Sequence, residues 1–438
     1  MKARFMISAP QSGGGKTTFT MGLLRALQRR GSVVQPYKCG PGYVDTIFHK
    51  WACGNTSVNL DRWLQSEKHL KDLFAHYAKN ADTCIVEGVM GLYDGFNRMR
   101  GSSGEIASIL QLPVILVVNA KATVYSIAPV IYGYRHFNAE TNLVGVVFNQ
   151  VEHPDQMDML RKACEDVGVE CFGYIPHMEG VTIPSHHIGF SLEVNDGIEQ
   201  VIDKLADAVE QTVDIDRLLM QTSIKDDKFE QIYSERKHKI AVETGNMKIA
   251  VAYDEAFNYI YEDNLNSLAR LGQIAFFSPM RDKVLPEADL VYFPGGYPEF
   301  FLKTLSANKP MLEAVKEYAD KGGRIFAECG GMAYLSRCMV GMDDIVYQLA
   351  GVLPIDTTMK DKRIYVGYRK MKLGKEEWYG HECHYSRIMD DSDLTVIGNQ
   401  TNAREQKVET KVYKWKNVRA GYTHWYWGER DIMDWWKI

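Results

Sequence analysis

The chain has 438 residues, room for two or three domains at roughly 150 residues each. Hydrophobic residues make up 45% and charged residues 24%, which excludes wholesale disorder. A formal charge of −5 argues against a general nucleic-acid binder, so any phosphate binding has to be local. The eight cysteines include no CxxC pair and no zinc-ribbon spacing, the usage of a reducing compartment rather than a disulfide scaffold. The start, MKARFMISAP, reads as no signal peptide, and runs such as Val114–Val118 fall far short of the roughly 20 apolar residues of a membrane span. A soluble, cytoplasmic protein without membrane contact is the expectation.

Short apolar runs at Arg4–Ser8, Thr83–Val86, Val114–Val118 and Leu143–Phe148 read as strands buried on both faces. Helical spacing separates them, as at Ser66–Lys79 and Leu160–Val167. The pattern predicts an α/β domain, a mainly parallel sheet with helices on both faces. Residues 222–240 are dense in charge and read as an exposed connection, or as the solvated end of a helix starting near Gly197. Periodicity then restarts with strands at Met247–Tyr253, Ile274–Phe277, Leu290–Phe293 and Gly323–Ala327, and helices at Asn258–Leu271 and Met311–Lys321. A β-rich end follows at 363–426. The expected domains are 1–222 and 247–438, joined by a linker at 223–246.

The first strand runs into Ala9-Pro10-Gln11-Ser12-Gly13-Gly14-Gly15-Lys16-Thr17-Thr18 and then a helix. Glycines allow backbone N–H groups to curl around phosphate oxygens, and the helix N-terminus adds partial positive charge. Lys16 can reach the β and γ phosphates, and the Thr17 hydroxyl can ligate Mg²⁺. Pro10 stands where GxxxxGK[ST] begins with Gly. Glu87 follows a strand and opens EGVMGLYDG, a place where ligands meet parallel sheets. Asp45 and Asp94 read either as further acids for metal and substrate or as turn-capping residues. Non-enzymatic partitioning ATPases carry a lysine where Gln11 stands; the other class with such a loop uses ATP to activate a carboxylate, as dethiobiotin synthetase does, and the second half of the chain decides between them.

In the second half, Gly323–Leu335 (GRIFAECGGMAYL) reads as strand, sharp turn and helix with Cys329 at the turn. Small residues two before and two after give the pattern of a nucleophile elbow, and the helix N-terminus is expected to lower the thiol pKa. A buried structural cysteine is the alternative. The loop carrying Gly295 and Gly296 can aim an N–H at an oxyanion. His424, in GYTHWYW, is the candidate base, or a histidine packed among aromatics. His381, Glu382, Cys383 and His384 could ligate a metal. Strand alternation, however, sends His381 and Cys383 to one face and the other two to the opposite face, so a structural or substrate-facing strand is expected.

Taken together, SGGGKTT, KCGPGYVDTIFH, EGVMGLYDG, GVVFNQV, IPSHHIGF, PGGYPE, AECGGMAYL, GHECHYS and GYTH resemble the cobyrinate a,c-diamide synthase family over nearly the whole chain. The resemblance implies a P-loop amidoligase domain followed by a class I glutamine amidotransferase-like domain. It implies Cys329 as nucleophile with His424 raising its reactivity. It also implies Ser12, Gly13, Gly14, Gly15, Lys16, Thr17 and Thr18 around ATP, Mg²⁺ on Thr17, Asp45 and Glu87, and Asp94, Gly295 and Gly296 toward substrates. ATP and glutamine are then co-substrates and a corrinoid acid the acceptor, with homodimerisation an open alternative. Trp425 and Tyr426 replace the Pro-Glu that usually follows the histidine, which implies a Cys–His dyad. Gly42 replaces the Asp of GPDY, which is expected to alter corrinoid preference or slow the synthetase step, and His186 replaces an Arg. Hydrogenobyrinate, nickel-sirohydrochlorin, the four other side chains amidated by cobyric acid synthase, and a regulatory ATPase with a degenerate glutaminase half stand as alternatives.

Overall fold

The structure, a computed structural model, describes residues 2–181, 196–224, 245–360 and 363–437. The IPSHHIGF segment and residues 225–244 of the expected linker lie outside the described residues. The rest divides into two compact units, one up to residue 224 and one from residue 245.

In the first unit, β1 (Lys2–Ser8), β2 (Val34–Cys39), β3 (Val58–Leu60), β4 (Thr83–Glu87), β5 (Val114–Asn119), β6 (Leu143–Val151) and β7 (Glu170–Pro176) build a sheet. Its order is β3-β2-β4-β1-β5-β6-β7, every pair parallel. The central strands are buried almost end to end, which is why they read as unbroken apolar runs. Crossovers use α1 (Lys16–Arg29), α2 (Val44–Cys53), α3 (Glu67–Ala78), α4 (Ser103–Ile109), α5 (Ala128–His136) and α6 (Gln156–Val167), with α7 (Asp196–Thr212) and α8 (Ile215–Gln221) after the last strand. Ser66 caps α3 by accepting from His69 N at 3.1 Å. Arg25 and Arg29 on α1 pair with Glu199, Asp203 and Asp207 on α7, fixing the two helices together. Thr222 is buried, and β8 (Ser223–Ile224) pairs antiparallel with Lys2 and Ala3, so the chain is still part of this sheet where charge density suggested an exposed connection.

The second unit begins with β9 (Met247–Ala252), α9 (Glu262–Leu271), β10 (Gly272–Phe277), β11 (Leu290–Phe293), α10 (Leu302–Ala307), α11 (Lys309–Asp320), β12 (Arg324–Glu328) and α12 (Gly330–Tyr334). Helix α9 starts four residues later than the periodicity predicts, because Asn258 N and Tyr259 N donate to Gly295 O at 3.1 Å instead of entering a helix. A small sheet takes β13 (Cys338–Val340), β14 (Val346–Gln348), β15 (Asp356–Thr358) and β18 (Arg387–Ile388). The large sheet adds β16 (Tyr365–Leu373), β17 (Glu376–His384), β19 (Thr395–Thr401), β20 (Lys407–Trp415), β21 (Val418–Gly421) and β22 (Thr423–Tyr426). Its order is β10-β9-β11-β12-β21-β20-β19-β16-β17-β22, parallel through β21 and antiparallel beyond. Buried aromatics, Trp378, Trp425, Trp427 and Trp435 among them, fill one face. Among the described residues no helix is long and apolar enough to cross a membrane.

Candidate active site

The first centre lies at the carboxyl ends of β1, β2 and β4. The loop after β1 exposes Ser12 and Gly13, then turns through Gly15 at φ +98° into α1. A methyl on Gly15 would fall 2.0 Å from Nδ2 of Asn149, which itself donates to Gly14 O at 3.3 Å. The turn therefore needs glycine for both conformation and space. Lys16 Nζ donates to Met90 O at 2.6 Å and to Gln11 O at 3.3 Å. Burial, then the nearby Lys38 ammonium, lowers its pKa to about 8.

Thr17 at the start of α1 donates to Glu87 Oε1 at 2.7 Å, and its hydroxyl lies 3.5 Å from Asp45 Oδ1. Lys38, at the end of β2, bridges the two acids with Nζ 2.7 Å from Asp45 Oδ2 and 2.7 Å from Glu87 Oε1. His49 Nε2 meets Glu87 Oε2 at 2.8 Å, and its Nδ1 meets Ser57 Oγ at 2.9 Å. Burial would raise the Glu87 carboxyl, yet Lys38 and His49 outweigh it and hold the group well below the usual range. Burial likewise works against the Lys38 charge, and Asp45 and Glu87 reverse that and raise its pKa. Thr17, Asp45 and Glu87 thus converge as the motifs predict. Asp94 acts on the Lys16 charge from nearby, and its Oδ2 accepts from Gly91 N at 2.9 Å, a turn-capping contact. Lys38 and His49 were not singled out from sequence. His49 lies four positions after Asp45 on α2, the spacing that puts both on one helix face.

The second centre is an elbow. Cys329 follows β12 with φ +47° and ψ −111°, a strained turn for a non-glycine residue, and its N donates to Gly421 O at 2.7 Å. The turn is packed against the glycine loop after β11. A methyl on Gly331 would lie 2.3 Å from Phe293 O, and one on Gly330 would lie 2.8 Å from Gly296 O. The same loop abuts the imidazole, since a methyl on Gly295 would lie 1.9 Å from Cε1 of His424. Gly296 thus borders the elbow, and Gly295 borders His424. The thiol points to Cys383 O at 3.6 Å, and Tyr259 places its ring 6.0 Å from the His424 ring.

The expected lowering of the thiol pKa is reversed. Burial, then the Glu299 carboxyl and Cys383, pushes Cys329 well above its ordinary value, while the N–H of Gly330 opposes this. Helix α12 has five residues, too little dipole to offset the loss of water. Burial, then His381 and His384, pushes His424 well below its ordinary value. Both shifts favour a neutral thiol and a neutral imidazole. Glu299 itself is raised to about 7 by burial.

Strand β17 splits its side chains as alternation predicts. Glu382 and His384 are buried and bonded to each other at 2.8 Å, with Arg369 also on Glu382, while His381 faces His424 across the ladder. Among the described residues no group of three or more His, Cys, Asp and Glu could hold a metal ion. Glu328, missed from sequence, is buried immediately before the thiol. Its carboxyl accepts from Trp425 N at 2.8 Å and from the Tyr292 hydroxyl at 2.7 Å.

Residues 248–432 match the CobB/CobQ-like glutamine amidotransferase domain, and residues 3–185 match an AAA domain family. Full-length relatives match as well. A cobyrinate a,c-diamide synthase of Caldanaerobacter subterraneus is 36% identical, covering 96% of this chain and 94% of its own. The synthase of the same name from Salmonella typhimurium is 34% identical, covering 98% and 96%. A hydrogenobyrinate a,c-diamide synthase of Brucella abortus is 35% identical, covering 96% and 97%. On both the two centres and these full-length matches, the chain belongs to the cobyrinate a,c-diamide synthase family of glutamine-hydrolysing amidoligases.

Proposed function

We propose that the protein uses ATP and glutamine to convert the a and c side-chain carboxylates of cobyrinate to amides, the step its relatives are named for. The unit up to residue 224 activates the acid and the unit from residue 245 supplies nitrogen. The observation that carries the reading is the elbow at Cys329, whose glycine loop abuts the imidazole of His424.

A carboxylate does not accept ammonia directly, because oxide is a poor leaving group. Transfer of the γ-phosphoryl group of ATP gives ADP and an acyl phosphate; ammonia then displaces phosphate and leaves the amide. The backbone of Ser12–Thr18 cradles the phosphates, and Lys16 swings from the carbonyls of Gln11 and Met90 onto their charge. Lys38 supports the same anionic centre from behind Asp45 and Glu87. Thr17, Asp45 and Glu87 present only oxygen donors, with Asp45 Oδ1 turned toward Thr17 rather than Lys38, a set that fits Mg²⁺. A bound Mg²⁺ would neutralise charge on the β and γ phosphates.

In the second unit, His424 takes the Cys329 proton as sulfur attacks the glutamine carboxamide, and the oxyanion settles on backbone N–H groups at Gly330 and the Gly295–Gly296 loop. The proton passes to the leaving nitrogen, ammonia departs, and water cleaves the glutamyl thioester to glutamate and free thiol. ATP, glutamine and a corrinoid acid are then the partners, and the cytoplasm, which holds the first two, is the compartment.

The test is mass spectrometry of products from cobyrinic acid, with ATP and either glutamine or ammonium. Wild type should give the diamide from both donors, and Cys329→Ala from ammonium alone. Parallel reactions with metal-free hydrogenobyrinate distinguish the two acceptors named among the relatives. ATP turnover without amide formation on any tetrapyrrole acid would defeat the assignment.

A further inference from the structure

Strand β22 carries His424 at the end of the large sheet's strand order, whereas β12 delivers Cys329 from its interior, and no ladder joins the two. On one edge β22 pairs with β17, His381 opposite His424 and Gly380 opposite Trp425. Alternate residues of an antiparallel pair turn their backbone groups away from the partner. Trp425 is such a residue, and side chains satisfy its outward groups. Its N–H donates to Glu328 Oε1 at 2.8 Å, and its C=O accepts from Asn264 Nδ2 at 2.8 Å. Asn264 Oδ1 also accepts from Trp427 N at 2.9 Å. Where another strand could lie, two side chains hold the edge.

One of them spans the two halves of the thiol site. Glu328 is covalently next to Cys329, and Trp425 is covalently next to His424. The path from nucleophile to base is therefore one carboxyl and one hydrogen bond, in a region where Glu328 and Trp425 are 2% and 1% exposed. The Tyr292 hydroxyl, 2.7 Å from Oε2, fixes the carboxyl from the β11 side.

We infer that Glu328 is a positioning residue of the glutaminase, holding the His424 strand in register with the Cys329 elbow through the backbone N–H of Trp425. The inference rests on the assignment of Cys329 and His424 made above. Burial pushes the Glu328 carboxyl up to about 8, so near neutrality it is protonated and shaped like a glutamine amide. Glutamine can accept the Trp425 N–H through its carbonyl and donate to the Tyr292 oxygen through its amide. Leucine can do neither.

The experiment compares glutamine-driven and ammonium-driven amidation, and glutamine hydrolysis, in the full-length wild type, Glu328→Leu, Glu328→Gln and Cys329→Ala. A misplacement of about 1 Å at a reacting pair costs on the order of a hundredfold. Glu328→Leu should lower glutaminase kcat by about that factor with the KM for glutamine little changed, since the defect lies in proton transfer rather than binding. Ammonium-driven amidation should stay at the wild-type level, and Glu328→Gln should restore most of the glutaminase kcat. Wild-type glutaminase kcat in a folded Glu328→Leu, or a Glu328→Gln as defective as the leucine variant, overturns the inference. Should Glu328→Leu fail to fold, Glu328→Ala removes the same hydrogen bond without adding a bulky apolar side chain: a matching kcat loss supports the inference and wild-type kcat overturns it. Cys329→Ala retaining glutaminase activity would instead remove the underlying assignment.

Discussion

Replacing Gly295 with alanine adds one methyl group, and the structure says where it lands. Gly295 lies outside the left-handed region that favours glycine, so the cost of alanine there comes from the space its methyl needs. The methyl carbon would lie 1.9 Å from Cε1, 2.5 Å from Nδ1 and 3.1 Å from Nε2 of His424. Carbon atoms in contact rest about 3.5–4.0 Å apart, so the ring or the loop has to retreat by roughly 1.5–2 Å. A displacement near 1 Å costs on the order of a hundredfold, about 2.7 kcal/mol of transition-state stabilisation. Glutaminase kcat in Gly295→Ala should therefore fall at least that far, while ammonium-driven amidation stays at the wild-type level. Because the methyl acts through the imidazole, it should add little to a His424→Ala protein. A Gly295→Ala enzyme with wild-type glutaminase kcat would refute the reasoning, and a further large loss in the His424→Ala background would show that the methyl acts through the oxyanion-binding loop instead of the imidazole.

Four other outcomes follow from charge. Lys38→Met leaves Asp45 and Glu87 buried without the ammonium that bridges them at 2.7 Å, and breaking such a pair costs about 3–5 kcal/mol, measurable by urea unfolding at neutral pH. The lowered pKa of His424 predicts that kcat/KM for glutamine holds up below pH 6.5, its acid limb falling only well under that value. Alkylation of Cys329 by iodoacetamide should conversely still be rising above pH 9, because its thiol is raised. Glu328 ionises near 4.5 when unfolded and at about 8 when folded, so the folded state binds the extra proton between those values. Its contribution to stability is complete below pH 4.5 and is lost as pH rises toward 8, a slope of about 1.4 kcal/mol per unit. Denaturant titrations of Glu328→Gln should show a flatter pH dependence across that window.

Local patterns carried much of this structure. The glycine-rich loop between β1 and α1, the acids beside Thr17 and the small residues around Cys329 were readable because each follows from neighbours in sequence. Lys38 and His49 were within reach of the same logic, one at a strand end and the other a helical turn after Asp45. What escaped depended on distant chain. Asn258–Tyr261 has helical spacing, yet the carbonyl of Gly295 claims the N–H groups of Asn258 and Tyr259. Glu328 matters through Trp425, 97 positions away. The direction of the Cys329 shift was misread because a strand–turn–helix pattern announces a dipole but not how deeply the turn is buried, and burial dominates.

The two centres treat charge in opposite ways, and each suits its reaction. Phosphoryl transfer begins with a polyanion, so the first centre keeps its charges ready: Asp45 and Glu87 outweigh the burial that works against the Lys38 charge, and Lys16 waits on carbonyl oxygens that phosphate can outbid. Glutamine hydrolysis begins with a neutral amide and releases neutral ammonia before water frees glutamate from the thioester. A thiolate–imidazolium pair formed before glutamine arrives would put an anion near Glu299 and a cation near His381 and His384, both out of water. Keeping thiol and imidazole neutral avoids that penalty and delays proton transfer until a carbonyl carbon is present to take the sulfur and N–H groups are present to take the oxyanion. A thiol poised in this way has little reactivity toward anything but a bound amide, which ties ammonia release to glutamine in the site rather than to the acidity of Cys329.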